Sequence, residues 1–322
     1  MSQSLLPRPL RGVVPPLVTP LTGRDTLDVG GLERLVEHVL AGGVAGLFIL
    51  GTTGEGPALS YRLRRELIER VCRQVGCRVP VLIGVTDTAF AESVALARYA
   101  ADAGAAAVVA AAPYYFRPSQ PELLHYVRVL SAEVPLPLVL YNMPAHTKVA
   151  FAVETVRQAM AFDNVVGLKD SSGDWNYFHA VRELRAERDD WTLLMGPEQL
   201  LGEAVLFGAD GGVPGGANLH PQLFVALYQA AARGDAERVA ALQRDVLRLG
   251  RIYQVARGEL AYLRGLKCAL ACAGLCADRL AEPFAPLAEA ERAQVARLVE
   301  PPALTAPVRE PSQPARAGGR AG

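Results

Sequence analysis

Lys169 stands out chemically because it ends the apolar run of the segment VVGLKDSSGD, Val165–Asp174. Lysine is rare in this chain: of 33 basic residues only Lys148, Lys169 and Lys267 are lysines, and all the others are arginines. Arginine stays protonated at any accessible pH, whereas lysine can lose its proton when it is buried. The choice of lysine therefore indicates that this position needs an amine rather than a positive charge.

A buried lysine amine can act as a nucleophile. Removal from water disfavours the ammonium form and lowers the pKa of the amine. The neutral amine can attack a ketone, and the resulting protonated imine accepts electrons while a carbon–carbon bond is made or broken. Such chemistry also needs a proton shuttle, and a phenol beside a hydroxyl can supply one.

Residues suited to that shuttle end two other apolar runs. Tyr141 closes one run, and the turn GTTG, Gly51–Gly54, follows another and contains Thr52 and Thr53. The closely spaced backbone N–H groups of this turn can also hold a carboxylate. Each feature has a purely structural alternative, since a turn, a packed tyrosine and an ion-paired lysine are all common. Their joint occurrence at strand ends favours catalysis.

The elements that must position these residues are eight apolar, β-branched runs, each followed by an amphipathic helical pattern. Continuous apolar strands joined by helices indicate a parallel sheet covered on both faces, and eight such units favour a (β/α)₈ TIM barrel, an α/β fold, with its active site at the carboxyl ends of the strands. An open sheet of the dinucleotide-binding kind is disfavoured, because no GxGxxG follows the first run. We predict strands at residues 13–18, 46–50, 79–85, 106–112, 136–141, 164–169, 191–196 and 211–216.

The predicted strand ends carry the motifs GTTGEG, PYYFRPSQ, YNMPAHTK, LKDSSGD, GPE and PGGAN. Of the three lysines, only Lys169 is predicted to be dehydrated by the barrel. Lys148 is expected in a loop and Lys267 inside a helix.

The chain divides into four predicted regions. Residues 1–11 form an N-terminal tail, 12–233 the catalytic barrel and 234–300 a C-terminal helical extension, since only helical patterns occur there. Residues 301–322 are rich in Pro, Gly and Ala without periodicity, so a disordered tail is expected.

The composition argues against several classes of function. Acidic and basic residues balance at 33 each, so there is no electrostatic case for binding nucleic acid or an anionic membrane. No apolar run reaches the length of a membrane span, and the N-terminus lacks a signal-peptide core. We therefore expect a cytoplasmic protein.

Five cysteines in a chain of 322 residues do not suggest a disulfide framework. Cys268, Cys272 and Cys276 follow one another at intervals of four residues, but small apolar packing explains them better than a metal site, and we predict the same for Cys72 and Cys77. No catalytic metal is expected.

The motifs GTTGE, PYY.RPSQ and YN.P, together with the lysine of the sixth strand, form a specific set. On these motifs the sequence resembles the dihydrodipicolinate synthase / N-acetylneuraminate lyase family of pyruvate-dependent class I aldolases. The resemblance covers residues 12 to about 298. It implies a pyruvate substrate, no cofactor beyond the covalent Schiff base, and a homotetramer built as a dimer of dimers.

The resemblance also implies roles for individual residues. Lys169 forms the Schiff base, Tyr141 relays protons above it, and Thr52 completes the relay. Tyr115 is the second tyrosine of the PYY motif and reaches across a dimer interface into the neighbouring site. The positions expected to bind substrate are Thr53 and Gly51 in the turn, Gly196 and Val213 in the pyruvate pocket, and His146.

His146 marks a departure from the synthase pattern, in which an arginine two residues after the proline binds the carboxylate of the aspartate semialdehyde-derived half. A neutral imidazole cannot make the two-pronged contact of a guanidinium with a carboxylate. Lys148 is a candidate to compensate.

The expected function is therefore that of a Schiff-base aldolase or lyase that makes or cleaves a carbon–carbon bond in a 4-hydroxy-2-oxo or 2-keto-3-deoxy acid. The first alternative is 4-hydroxy-tetrahydrodipicolinate synthase, which condenses pyruvate with aspartate semialdehyde. The second is a barrel that binds a metabolite without converting it, which borohydride trapping with pyruvate would distinguish.

Overall fold

Eight parallel strands form one sheet in the described part of the chain, residues 6–299 of a computed structural model. Their spatial order is β1-β10-β9-β8-β7-β6-β5-β4, so sequential strands are neighbours around the sheet. A separate antiparallel hairpin consists of β2 and β3. The strands are β1 Gly12–Val13, β2 Leu21–Gly23, β3 Thr26–Leu27, β4 Leu47–Ile49, β5 Val81–Gly84, β6 Ala107–Ala111, β7 Leu138–Asn142, β8 Val165–Asp170, β9 Thr192–Met195 and β10 Gly211–Gly212.

The two ends of the sheet meet through the segment that follows β1. On one side, Gly12 pairs with Gly211 of β10. On the other, the Leu17 N–H donates to the Phe48 carbonyl at 2.8 Å, and the Phe48 N–H donates to the Pro15 carbonyl at 3.0 Å. The sheet is therefore closed, and the predicted (β/α)₈ barrel is confirmed.

The first and last barrel strands are shorter than predicted. Pro15 and Pro16 have no N–H to donate to a ladder, so regular pairing stops at Val13. After Gly212 the chain reaches Pro214 and turns into a short 3₁₀ helix. The hairpin of β2 and β3 was not predicted, because three- and two-residue strands leave almost no periodic signal.

Side chains alternate between two apolar cores along the strands. In β6, Ala107, Val109 and Ala111 face the barrel interior, whereas Val108 and Ala110 face the surrounding helices. This alternation follows from the two-residue repeat of a strand, and burial on both faces explains why the runs are continuously apolar.

Helices cover the outside of the barrel, and several begin at side-chain caps that the sequence supplies. Asp28, Ser60, Asp174 and Asp235 each accept a backbone N–H at the start of a helix, which satisfies a donor that the helix cannot. The α-helices are α1 Val29–Ala41, α2 Tyr61–Val75, α3 Phe90–Asp102, α4 Gln120–Glu133, α5 Pro144–Thr147, α6 Val153–Met160, α7 Trp175–Glu183, α8 Leu201–Leu206, α9 Pro221–Ala232, α10 Ala236–Leu249, α11 Ala261–Cys272 and α12 Glu289–Leu298. The 3₁₀ helices are Gly56–Ala58, Leu184–Glu187, Glu198–Leu200, Gly215–Asn218 and Gly250–Gln254.

The C-terminal region is helical, as predicted: α10, α11 and α12 follow the last barrel helix. The residue boundaries of the four predicted regions stay a prediction, and the tail at 301–322 lies outside the described residues. At the other end, Leu6 and Leu10 are buried with the barrel-interior core, and the Leu10 N–H donates to Thr192 Oγ1 at 2.9 Å. Within residues 6–299, no helix combines the length and apolarity needed to cross a bilayer.

Lys267 lies inside α11, as predicted, and is fully buried there. The expectation about the cysteines is wrong in part. Cys77 and Cys272 are exposed rather than packed, and α11 ends at Cys272, so Cys276 lies beyond the helix.

Candidate active site

A cleft of about 470 Å³ opens at the carboxyl ends of the barrel strands. Its walls come from the segments that follow β4, β5, β6 and β7, and from the C-terminal region through Glu259, Leu260, Leu263 and Phe284. The cleft therefore lies where a barrel of this kind carries its active site.

Tyr141 lines this cleft, and its neighbour Lys169 borders a small void inside the barrel; Phe48 borders both spaces. Tyr141 and Lys169 are direct partners in the parallel pairing of β7 with β8. The Lys169 Nζ lies 4.0 Å from the centroid of the Tyr141 ring and 5.1 Å from that of Phe48. Lys169 is only 5% exposed, and it forms no salt bridge with any residue that the structure describes.

Burial lowers the pKa of the Lys169 amine, while the neighbouring Tyr141 hydroxyl opposes this shift. The largest effect is desolvation, which penalises the ammonium form. No carboxylate among the described residues compensates for the loss of water. The site therefore favours a neutral amine at lower pH than an exposed lysine would.

Asp170 follows Lys169 directly but points away from it. Successive strand residues face opposite sides of a sheet. The Asp170 carboxylate accepts hydrogen bonds at 3.0 Å from the Asn142 side chain, the Ser172 N–H and the Ser172 hydroxyl. Asn142 also accepts the Phe151 N–H at 3.1 Å. This buried network holds the ends of β7 and β8 side by side, and its donors satisfy the Asp170 carboxylate.

Thr52 lies beside Tyr141, with 3.2 Å between their hydroxyl oxygens. The two groups can pass a proton between them in either direction. Gly51 precedes Thr52, and a Cβ at Gly51 would lie 2.6 Å from the Phe48 ring. The glycine therefore allows the turn to approach Phe48 closely, which brings the Thr52 hydroxyl toward the phenol.

The rest of the GTTGE turn is held from outside the barrel sheet. The Thr19 hydroxyl donates to the Gly54 carbonyl at 2.6 Å. Thr53 is buried near Tyr262 of α11; burial raises the pKa of the Tyr262 phenol, and the neighbouring Thr53 side chain opposes the rise. Glu55 takes a left-handed backbone conformation with φ 56°.

Gly196 and Val213 follow β9 and β10, the strands on the side of β8 away from β7, and they lie near Lys169. Val213 borders the same small interior void as Lys169. The Gly196 N–H donates to the Asp170 carbonyl at 2.7 Å, and a Cβ there would lie 1.9 Å from the Ser171 hydroxyl oxygen. Only glycine fits at this point. Neither residue borders the outer cleft.

His146 lines the outer cleft, where its Nδ1 lies 3.4 Å from a carboxylate oxygen of Glu259. Among the described residues that line this cleft there is no arginine and no lysine. Lys148 does not fill that place: it ends α5 in a left-handed conformation, and its Nζ donates to the Ala145 carbonyl at 2.8 Å.

Tyr115 is not in the cleft of its own chain. It is 76% exposed, and its ring contacts that of Phe116, which is 82% exposed. Tyr114 lines the cleft instead. Burial raises the pKa of the Tyr114 phenol, and the nearby Asp87 acts in the same direction.

Several contributors to the site were not predicted. Phe48 is an ordinary apolar strand residue in the sequence, and the hydrogen bond from Asn142 to Asp170 joins two motifs whose contact the sequence does not reveal. Glu259 lies more than a hundred residues from His146 along the chain. Asn142 offered the best signal, since a polar residue after an apolar run at a barrel strand end indicates a functional position. The described residues contain no group of three or more His, Cys, Asp or Glu side chains that could hold a metal ion.

Comparisons with known proteins identify the family and agree with the fold. The model of the dihydrodipicolinate synthetase family matches residues 9–301. A structure of dihydrodipicolinate synthase from Bacteroides thetaiotaomicron is similar to the chain with a TM-score of 0.88 and 49% identity, covering 90% of this chain and 98% of that one. A prophage protein of the dihydrodipicolinic acid synthase family from Escherichia coli K12, solved in complex with pyruvate, has a TM-score of 0.85 and 30% identity over 90% of this chain and 97% of its own. The probable 2-dehydro-3-deoxy-D-pentonate aldolase of E. coli K12 is 32% identical over 281 residues, 87% of this chain and 92% of that protein.

Proposed function

This chain belongs to the dihydrodipicolinate synthetase family, and we propose that it is a pyruvate-dependent, Schiff-base-forming aldolase that makes or cleaves a 4-hydroxy-2-oxo or 2-keto-3-deoxy acid. Its family membership makes it a carbon–carbon lyase. The observation that carries the Schiff-base proposal is the burial of Lys169 beside Tyr141 without a carboxylate partner among the described residues.

The first stage joins pyruvate to the enzyme. The Lys169 Nζ attacks the C2 carbonyl carbon of pyruvate, and Tyr141 donates a proton to the carbonyl oxygen, which later leaves as water. A protonated imine results. Loss of a proton from C3 converts it to an enamine, which is the carbon nucleophile. The contact between Thr52 and Tyr141 supports a relay that returns protons to the phenol.

In the second stage the enamine carbon attacks the carbonyl carbon of an aldehyde. One carbon–carbon bond forms, and the aldehyde oxygen takes up a proton to become the 4-hydroxyl group. Water then hydrolyses the imine, which releases the 4-hydroxy-2-oxo acid and restores the Lys169 amine. The same steps in reverse order cleave that acid into pyruvate and an aldehyde.

The pyruvate carboxylate is proposed to bind at the turn formed by Gly51, Thr52 and Thr53. Closely spaced backbone N–H groups there suit a carboxylate, and the buried Thr53 hydroxyl adds a donor. Gly196 and Val213 are proposed to border the methyl side of pyruvate. Their small or apolar character, near Lys169, leaves space for C3 without offering a competing polar partner.

An uncharged, hydroxylated aldehyde is the proposed partner of pyruvate. The outer cleft contains no arginine or lysine among its described lining residues, and Glu259 adds a carboxylate beside His146. A carboxylate on the aldehyde, in addition to that of pyruvate, would therefore lie near the negative charge of Glu259, and no guanidinium would balance the two charges. Hydroxyl groups can instead bind to both His146 and Glu259. A relative named as a probable 2-dehydro-3-deoxy-pentonate aldolase supports this class.

The second candidate is 4-hydroxy-tetrahydrodipicolinate synthase. The similarity to the B. thetaiotaomicron structure, at 49% identity, favours it. Against it stands His146, where the synthase pattern places an arginine, because no cationic side chain in the described part of the cleft replaces that arginine.

We also propose that the enzyme needs no cofactor, since the covalent imine is itself the electron sink, and that it assembles as a homotetramer. The exposed aromatic pair of Tyr115 and Phe116 supports burial in an interface, because large exposed aromatic side chains commonly mark contact surfaces. Tyr115 would then contribute its phenol to the neighbouring cleft.

A substrate screen tests the proposed reaction. Pyruvate is offered with a panel of uncharged hydroxylated aldehydes and with aspartate semialdehyde, and condensation is followed by loss of pyruvate, with cleavage of the corresponding 2-oxo acids run in parallel. Turnover of a hydroxylated aldehyde is expected. Turnover of aspartate semialdehyde alone would establish the second candidate, and no reaction with any of them would contradict both.

A further inference from the structure

Lys267 and Glu55 form a buried ion pair between α11 and the turn proposed to bind the carboxylate. Both side chains are almost completely excluded from solvent, at 0% and 4% exposure. The Lys267 Nζ also donates to the Arg279 carbonyl at 2.6 Å. The second Glu55 oxygen accepts the Ala281 N–H at 2.7 Å. The pair therefore has additional partners on both sides, which a buried charge requires.

Glu55 connects its ion pair with Lys267 to the turn that is proposed to bind pyruvate. Glu55 lines the cleft, and its carboxylate reaches away from the cleft floor toward α11. Its φ of 56° lies in the left-handed region, which a residue with a side chain adopts only when its surroundings hold it there. The Glu55 N–H donates to the Thr52 carbonyl at 3.0 Å. The position of Glu55 therefore helps to fix the backbone of the turn at Thr52.

A second residue of the same helix lies close to the turn: the Thr53 side chain is near enough to the Tyr262 phenol to oppose the rise in its pKa that burial causes. Leu263, also on α11, lines the cleft itself. One helix of the C-terminal region thus contacts Thr53 and Glu55, on both sides of Gly54. The use of lysine in a chain otherwise dominated by arginine fits this role, since a compact ammonium can donate to Glu55 and the Arg279 carbonyl inside a closed space.

We infer that Lys267 is a positioning residue for the pyruvate carboxylate: by holding Glu55, it sets the geometry of the Gly51–Thr53 backbone and the Thr52 hydroxyl. Lys267 does not itself touch substrate, because it is fully buried behind the turn. This inference rests on the proposed function, in which that turn binds pyruvate. Its consequence is that α11 belongs to the pyruvate site although it lies outside the barrel strands.

The experiment compares Lys267→Met with the double variant Glu55→Met/Lys267→Met. The readouts are the melting temperature and the pyruvate concentration that half-saturates borohydride trapping on Lys169. Lys267→Met leaves Glu55 as a buried unpaired charge and should lower the melting temperature. It should also raise the half-saturating pyruvate concentration at least about tenfold, because a misplacement of ~1 Å in a site can lower activity by roughly 10²-fold.

The double variant separates positioning from folding. Replacing both charges by apolar side chains should recover most of the melting temperature, because such replacements of buried pairs are often neutral or better. Pyruvate saturation should stay impaired. Arg185→Met is the matched control: Arg185 pairs with the buried Asp210 at 3.0 Å at the amino ends of the strands, so its loss should lower stability without altering pyruvate saturation.

Three results would overturn the inference. They are unchanged pyruvate saturation in folded Lys267→Met, full recovery of both readouts in the double variant, and an equal loss of pyruvate saturation in Arg185→Met. If the single variant does not fold, the double variant decides alone. A wild-type protein that is not trapped by pyruvate would refute the proposed function, and this inference with it.

Discussion

Tyr141 and Lys169 are register partners on adjacent strands, and this pairing places the Lys169 Nζ 4.0 Å from the centroid of the Tyr141 ring. A slip of one residue between β7 and β8 would turn one of the two side chains to the opposite face of the sheet. The Asn142–Asp170 contact one position further along holds this register at 3.0 Å. A buried acid that faces away from the site thus keeps the proposed nucleophile and proton donor together.

The first prediction concerns the covalent intermediate. Incubation with pyruvate and borohydride should attach one reduced pyruvyl group per chain, on Lys169. Lys169→Arg should abolish the adduct, because arginine cannot deprotonate and so offers no neutral amine to attack pyruvate. Peptide mass spectrometry locates the adduct. Lys148→Arg serves as the control and should still be labelled, whereas an adduct on Lys148 or Lys267 of the wild type would contradict the assignment.

The second prediction concerns the proton relay. Tyr141→Phe removes one hydroxyl from a packed ring, so pyruvate should still bind while kcat falls by roughly 10²–10⁴-fold, as is typical for loss of a general acid–base group. Thr52→Val should lower kcat in the same direction, because the two hydroxyls are 3.2 Å apart. Tyr126→Phe, a change at a partly buried tyrosine of α4, is the control. Full activity in both site variants would show that the proton takes another route.

The third prediction concerns pH. Burial lowers the pKa of Lys169, so the rate of adduct formation should rise with pH and level off below the usual titration range of lysine. The Tyr141 hydroxyl opposes that shift, so its removal in Tyr141→Phe should move the midpoint of the profile to lower pH. Initial rates of borohydride-dependent labelling across pH give both midpoints. A midpoint that moves upward in the variant would contradict the role of Tyr141 in holding the proton.

The fourth prediction concerns the choice of aldehyde. His146→Arg should improve the use of aspartate semialdehyde relative to the best uncharged aldehyde, because a guanidinium can bind its carboxylate. The gain should match one charge-assisted hydrogen bond, about 1.5–3 kcal/mol or roughly 10- to 150-fold in the ratio of kcat/KM values. Glu259→Gln should act in the same direction by removing a nearby negative charge.

His146→Gln is the matched control for that experiment, since it keeps a neutral hydrogen-bonding side chain and should leave the ratio nearly unchanged. A wild-type enzyme that already uses aspartate semialdehyde as well as its best alternative, and that loses activity when arginine is introduced, would assign the chain to the synthase.

The barrel was predictable from sequence because strands buried on both faces are continuous apolar runs, and eight of them alternate with amphipathic helices. Lys169, Tyr141 and Thr52 could be grouped from the sequence because Lys169 and Tyr141 end such runs and Thr52 lies in the turn that follows another. The partners of Lys267 and His146 were not: Glu55 lies 212 positions from Lys267, and only the folded chain brings the two together. The role of Tyr115 depends on a neighbouring subunit, so its proposed function stays a prediction.

The contact of α11 with the GTTGE turn bears on how such a protein can be recombined. A hybrid that joins this barrel to the C-terminal helices of another family member has its crossover point between Glu55 and Lys267, so the two halves of the ion pair come from different parents. A parent without a lysine at that place would leave Glu55 as a buried unpaired acid under the proposed pyruvate site. The C-terminal helices are therefore not an exchangeable module, and a donor should be chosen by its match to Lys267 and Tyr262 rather than by overall identity.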